Sequence, residues 1–378
     1  MNEIVYLDNS ATTKPCKEAL DFMNKALLEN WGNPSSLHTI GISAEEILFS
    51  CKEACATMLS ARPDEIFFTS GGTEANNIAV NGAITSRAKR GNRIVTTAIE
   101  HPSVLEAIKR FEEKGFEVIK LVPKNDGKIS EKDLFDAINE KTVLVSIMLV
   151  NNEIGSIQPI KAAASAIKAK NAPALLHCDA VQAFGKLPVK VKELGVDLLS
   201  LSGHKIHAPK GIGVLYKKKG VHISPLIFGG GQQEGLRPGT EPTPLIAALE
   251  GAISALPNPA SQINKASELC CYTKERLCDT GLVAINSPDD ALPYVLNISV
   301  PGWRSETLLH FLEAEGVYVS SGSACAKGAL SPTLTALGLD KKRIDSALRI
   351  SFSRFNKKED ADRLVEALIK ATNKLKRS

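Results

Sequence analysis

No Cys-x-x-Cys pair occurs among the eight cysteines of this chain, so a zinc site is not expected. With 378 residues available for a core, the cysteines do not read as a disulfide framework either. Cys51 and Cys55 lie one helical turn apart, and Cys270, Cys271 and Cys278 share another expected helix; all read as reduced packing residues. Charge of one sign is also missing: 46 Lys+Arg against 42 Asp+Glu leave +4, spread along the chain, and no nucleic-acid footprint stands out. The basic end, residues 370–378, reads as a solvated helix terminus favoured by the helix dipole. No apolar run approaches a membrane span, and Met1-Asn-Glu-Ile-Val-Tyr6 lacks the basic and apolar regions of a signal peptide. A cytoplasmic chain without internal repeats is therefore expected, long enough for two domains.

What is present is a lysine and an aspartate at the ends of two strand-like segments. Lys205 closes Asp197-Leu-Leu-Ser-Leu-Ser-Gly-His-Lys205, and Asp179 closes Leu175-Leu-His-Cys-Asp179. A lysine amine can form a Schiff base with the aldehyde of pyridoxal phosphate, while a carboxylate beside the pyridine nitrogen keeps that ring protonated and electron-withdrawing. Alone, the pair is better explained as a surface lysine and a strand-end aspartate. Three further segments carry matching chemistry.

Thr69-Ser70-Gly71-Gly72-Thr73-Glu74 follows a strand-like stretch and opens a helical run over 75–89. The N–H groups of Gly72 and Thr73, the Thr73 hydroxyl and the positive end of the dipole would form a phosphate cup, with Ser202 and His204 as donors from the opposite side. The same residues also suit an ordinary helix cap. Glu100-His101-Pro102 puts an imidazole at another strand end, where it could lie over a cofactor ring. Ser320-Ser-Gly-Ser-Ala-Cys325-Ala-Lys327-Gly328 holds one thiol among small residues, the composition of a mobile loop, with Lys327 as the nearby cation.

In these segments the chain resembles the cysteine desulfurases of the nitrogen-fixation and iron–sulfur-cluster type, fold type I pyridoxal-phosphate enzymes of the class V aminotransferases. The similarity runs nearly end to end. It also takes in Tyr6-Leu-Asp-Asn-Ser-Ala-Thr-Thr13, Gly32-Asn-Pro-Ser-Ser-Leu-His38, Val150-Asn-Asn-Glu-Ile-Gly155, His177-Cys-Asp-Ala-Val-Gln182, Leu236-Arg-Pro-Gly-Thr240 and Leu348-Arg349-Ile-Ser-Phe352. The resemblance implies that Lys205 is the Schiff-base lysine, Asp179 the partner of the pyridine nitrogen and His101 the stacking group. It gives Gln182 and Asn152 contacts to the cofactor's phenolic oxygen and the substrate side of the ring. Thr240 would reach the phosphate of a neighbouring subunit, which implies a homodimer with shared sites. Arg349 would hold the substrate carboxylate, and Cys325 would receive sulfur as a persulfide, leaving L-alanine from L-cysteine. Sulfur-acceptor proteins, either an iron–sulfur scaffold or a tRNA-thiolation protein, would be the partners. Two positions depart from the pattern: Pro242 stands where asparagine is usual, and Ala326-Lys327-Gly328 follows the cysteine. A selenocysteine lyase or another fold type I aminotransferase would keep the same lysine, aspartate and arginine, and a non-catalytic sulfur-trafficking scaffold is the alternative of a different class.

Short apolar strands alternating with helical stretches from about residue 60 to 216 predict an α/β fold with a mostly parallel seven-stranded sheet. Its strands are expected at 66–69, 93–98, 117–121, 143–150, 175–178, 198–201 and 213–216. The proline-rich stretch Leu256-Pro-Asn-Pro259 marks the entry to a smaller α+β unit with strands at 295–300 and 348–352. The expected domains are residues 16–256, and residues 1–15 with 257–378.

Overall fold

The computed structural model of the protein describes residues 4–321 and 330–377. Seven strands form the main sheet: β2 (Ile66–Thr69), β3 (Arg93–Thr97), β4 (Glu117–Leu121), β5 (Thr142–Met148), β6 (Leu175–Asp179), β7 (Leu198–Ser202) and β8 (Gly213–Lys217). Their order across the sheet is β2-β8-β7-β6-β5-β3-β4. All neighbours run parallel except β8, which is antiparallel to both β7 and β2. All residues of β5, from Thr142 to Met148, are buried. Both faces of the sheet are covered, which is why apolar residues fall at neighbouring positions, Val143-Leu144-Val145 and Ile147-Met148, without polar–apolar alternation; the buried Ser146 between them has its Oγ 2.8 Å from His177 Nδ1. Phe67, Leu144 and Leu198 face one core, with Ile78 and Ile84 of a helix (Gly72–Arg87) and Val104 and Ile108 of another (Pro102–Glu112). Phe68, Val145, Ile147 and Leu199 face the other.

A smaller antiparallel sheet holds β9 (Ala284–Ile285), β10 (Val295–Ser299), β12 (Ser320–Ser321) and β13 (Ala347–Ser351) in the order β12-β13-β10-β9. It has its own core, where Leu296, Ile298, Leu348 and Ile350 pack with Leu364 and Leu368 of the helix Lys358–Lys374. The start of the chain joins this body: β1 (Val5–Tyr6) pairs parallel with β11 (Val317–Tyr318), and the Ser10 N–H donates to Ser351 Oγ at 2.8 Å.

The expected strands all form, with ends differing by a few residues. Val150 is one difference: it lies beyond the C-terminal end of β5, in an isolated bridge to Ile157. The cysteines need a correction. Cys51, Cys55 and Cys270 are buried, but Cys271 and Cys278 are exposed. On the helix Pro259–Cys278 the inward face is Ala266, Leu269, Cys270, Thr273 and Leu277, so the next position along, after Cys270 and again after Leu277, is rotated by about 100° toward solvent. Among the described residues, no helix is long and apolar enough to cross a membrane.

Candidate active site

Parallel strands end on the same side of a sheet, and the residues following β2, β3, β6 and β7 are therefore brought together. After β2 the chain turns through Gly71, at φ 153° and ψ −177°, a backbone region that side chains disfavour, and enters the helix Gly72–Arg87. A Cβ on Gly71 would stand 3.7 Å from Ser202 Oγ, and one on Gly72 would come within 2.8 Å of Val181 Cγ2. Gly213, which opens the antiparallel β8 beside this turn, comes closer still: its Cβ would lie 2.6 Å from Gly71 Cα. The missing side chains keep a concave turn of backbone N–H groups at a helix N-terminus, facing Ser202. Thr73 is exposed in the first turn. Glu74 steadies the turn, accepting the Ser70 N–H and an Arg237 Nε bond of 3.1 Å. That ion pair ties the segment ending at the exposed Thr240 to the cup.

Asp179, the last residue of β6, is 5% exposed. Its Oδ1 accepts the Val181 N–H at 3.0 Å and its Oδ2 accepts Asn76 Nδ2 at 2.8 Å. His101 caps the helix after β3, with Nδ1 accepting the Ser103 N–H at 3.1 Å. Burial holds this imidazole below its usual pKa; the field of Asp179 opposes that shift and the field of Lys205 adds to it. A neutral ring whose Nδ1 faces a backbone N–H carries its proton on Nε2. Lys205, just past β7, donates from Nζ to the carbonyls of Ser10 at 2.6 Å and Ala11 at 2.7 Å. Gln182 Nε2 donates to the same Ser10 carbonyl at 3.0 Å. His204 Nδ1 lies 3.1 Å from Thr12 Oγ1. Arg349 on β13 spans both bodies, with NH2 on Asp8 Oδ1 at 2.9 Å and NH1 on the Asn152 carbonyl at 3.1 Å. Its Nε is buried with no hydrogen-bond partner among the described residues. Cys325 lies outside the described residues. Its flanks, Ser321 at the end of β12 and the buried Ser331, do not.

Over residues 5–364 the chain matches the class-V aminotransferase family. It belongs to that family. A cysteine desulfurase IscS from Methanosarcina thermophila is 40% identical, the alignment covering 99% of this chain and 93% of that one. A solved NifS-like protein superposes with a TM-score of 0.93 at 37% identity, covering 99% of this chain and all of the other. A structure described as SspA in complex with cysteine superposes with a TM-score of 0.82 at 34% identity, over 93% of this chain and 99% of that one. The family's fold type I architecture is the one observed here.

Some residues at this site carry only a weak signal in the sequence. Asn76 lies on a helix face lined by Ala75, Ile78 and Ala79, and a polar side chain among such neighbours was the clue available. Lys186 is 6% exposed, with Nζ 3.2 Å from Gln182 Oε1; burial and the fields of Lys205 and Arg349 push it down to about 7. Asp8 sits within Tyr6-Leu-Asp-Asn-Ser-Ala-Thr-Thr13, yet its ion pair with Arg349 spans most of the chain.

Glu100 is the other buried charge candidate. Its Oε1 accepts from Thr97 Oγ1 at 2.7 Å and from the Met148 N–H at 2.9 Å, and burial above all raises it from the ordinary 4.5 to about 8. It is therefore largely neutral at pH 7 and adds little negative charge beside Asp179. Because the folded state holds this proton more tightly, its contribution to stability is complete below about pH 4.5 and is lost as pH rises toward 8. Glu100→Gln imitates the neutral acid. Thermal unfolding between pH 5 and pH 9 should show the variant gaining several degrees on the wild type at the alkaline end. An unchanged gap would contradict a neutral Glu100.

Proposed function

We propose that the protein is a cysteine desulfurase that works with pyridoxal phosphate, taking sulfur from L-cysteine, releasing L-alanine and leaving a persulfide on Cys325. The observation that carries this reading is that the Lys205 amine, the Asp179 carboxylate and the glycine cup stand at or just past the same ends of β7, β6 and β2, in a chain 40% identical to a cysteine desulfurase over nearly its whole length.

The residues present fit the cofactor. Gly71 and Gly72 leave a cradle that a Cβ would fill, with the Ser202 hydroxyl beside it. Asp179 is held by two hydrogen-bond donors, one on each oxygen, which fix the orientation of the carboxylate. Gly72, Thr73, Ser202 and His204 would hold the phosphate, with Thr240 from a second subunit. Asp179, Gln182, Asn152 and His101 would hold the ring, and Lys205 would carry the covalent link. When bound, pyridoxal phosphate supplies an electron sink that makes the α-proton of the amino acid acidic and lets its carbon part from sulfur.

The chain's own groups do the rest. Arg349 binds the substrate carboxylate, its guanidinium already oriented by Asp8 and the Asn152 carbonyl. Lys205, freed from its link, takes the α-proton on Nζ. Cys325, as the thiolate, attacks the substrate sulfur: its Sγ–S bond forms as the substrate's C–S bond breaks, and the electron pair stays with the substrate carbon until that carbon is protonated. The persulfide then passes to an acceptor thiol on a partner protein, an iron–sulfur scaffold or a tRNA-thiolation protein.

The remaining parts of the reading are a cytoplasmic homodimer and two domains, residues 16–256, and residues 1–15 with 257–378. Exposed apolar side chains, Leu28 at 78%, Trp31 at 68%, Leu37 at 96% and Phe228 at 83%, support burial against a second copy. The separate apolar cores of the two sheets support the division.

Anaerobic incubation of the cofactor-loaded protein with L-cysteine and a reducing thiol tests the function. Equal amounts of alanine and sulfide are expected. A yellow protein that yields neither would point to a different substrate.

A further inference from the structure

Asn76 is 1% exposed, and its Nδ2 is bonded twice: to Asp179 Oδ2 at 2.8 Å and to Ser103 Oγ at 2.9 Å. An amide nitrogen carries two hydrogens, so both are used. The opposite orientation would set an amide oxygen against a carboxylate oxygen, which fixes the nitrogen toward Asp179. Ser103, having accepted a hydrogen from Asn76, has its own hydroxyl hydrogen to give, and His101 Nδ1 lies 2.8 Å away. The Ser103 backbone N–H points at the same Nδ1. The chain of donation therefore has one direction, from amide to hydroxyl to imidazole. It leaves Asn76 Oδ1 buried with no hydrogen-bond partner among the described residues, a cost that simple packing would not require.

We propose that Asn76 is a positioning residue of the cofactor site, orienting the Asp179 carboxylate for the ring nitrogen and, through Ser103, holding the His101 ring with its proton on Nε2. This rests on the pyridoxal-phosphate reading above. One side chain orients the carboxylate on one side of the cofactor ring and sets the tautomer of the group expected to cover it. The other charged or titratable groups nearby are Glu100 and Cys178, both reached by the field of Asp179, and Lys205, whose field reaches His101.

The test follows the visible absorbance of the cofactor-loaded protein against pH, for the wild type, Asn76→Leu and Asn76→Asp. Without the amide donor the carboxylate charge is less dispersed, and a less dispersed negative charge beside the ring would hold the protons of the loaded cofactor more tightly. Loss of one hydrogen bond to a charged group predicts an upward shift of the absorbance midpoint by about one pH unit in Asn76→Leu. Asn76→Asp keeps the shape while removing both donated hydrogens, to Asp179 and to Ser103, and adding a negative charge, and it should also shift upward; it serves if the leucine variant does not fold. A folded variant of either kind with the wild-type midpoint overturns the role of Asn76 and leaves the cofactor reading intact. A wild type that takes up no pyridoxal phosphate and shows no visible band overturns both.

Discussion

Lys205→Ala abolishes production of alanine and sulfide from L-cysteine and removes the absorbance of the lysine-bound cofactor in the same step. Loss of the proton transfer alone is worth roughly 10²–10⁴-fold in rate, and loss of the covalent link adds to it. The substitution leaves the carbonyls of Ser10 and Ala11 without the Nζ donor, in a segment also held by Gln182, Ser351 and the Thr13–His204 contacts. The fold therefore survives, and a circular-dichroism spectrum like that of the wild type separates lost chemistry from lost structure. Turnover that persisted in Lys205→Ala would remove the lysine from the mechanism.

Cys325→Ala separates the two halves of the reaction. The cofactor band and its response to added L-cysteine should persist, because neither depends on the thiol, while sulfide release falls to the buffer background, as expected when a covalent nucleophile is removed. Mass spectrometry of the wild type after one turnover, without reductant, should find one additional sulfur on the peptide bearing Cys325. Sulfide release at the wild-type rate from Cys325→Ala would refute the assignment.

Much of the scaffold was legible in the residues. β5 reads as an apolar stretch, Val143 to Met148 interrupted at Ser146, because both faces of the strand are buried, and the stretch is visible without the fold. Gly71, Gly72 and the following helix read as a cup because the turn needs glycine for local reasons of backbone conformation and space. The helix Pro259–Cys278 was legible as a helix, but the exposure of Cys271 and Cys278 depended on which face met the small sheet's core.

The sequence by itself determined the alternation of strands and helices and the supply of reactive groups: an amine, a carboxylate, an imidazole, a guanidinium and a thiol in short motifs at expected strand ends or in a loop. Local patterning carries that information because periodicity and turn chemistry act over a few residues. Only the tertiary structure decided which groups touch. Asn76 reaches Asp179 across 103 positions, Lys205 reaches the Ser10 carbonyl across 195, and Arg349 meets Asp8 across 341. A hydrogen bond depends on a few tenths of an ångström and on direction, and contacts so distant along the chain are fixed by how sheet, helix and N-terminal segment pack together.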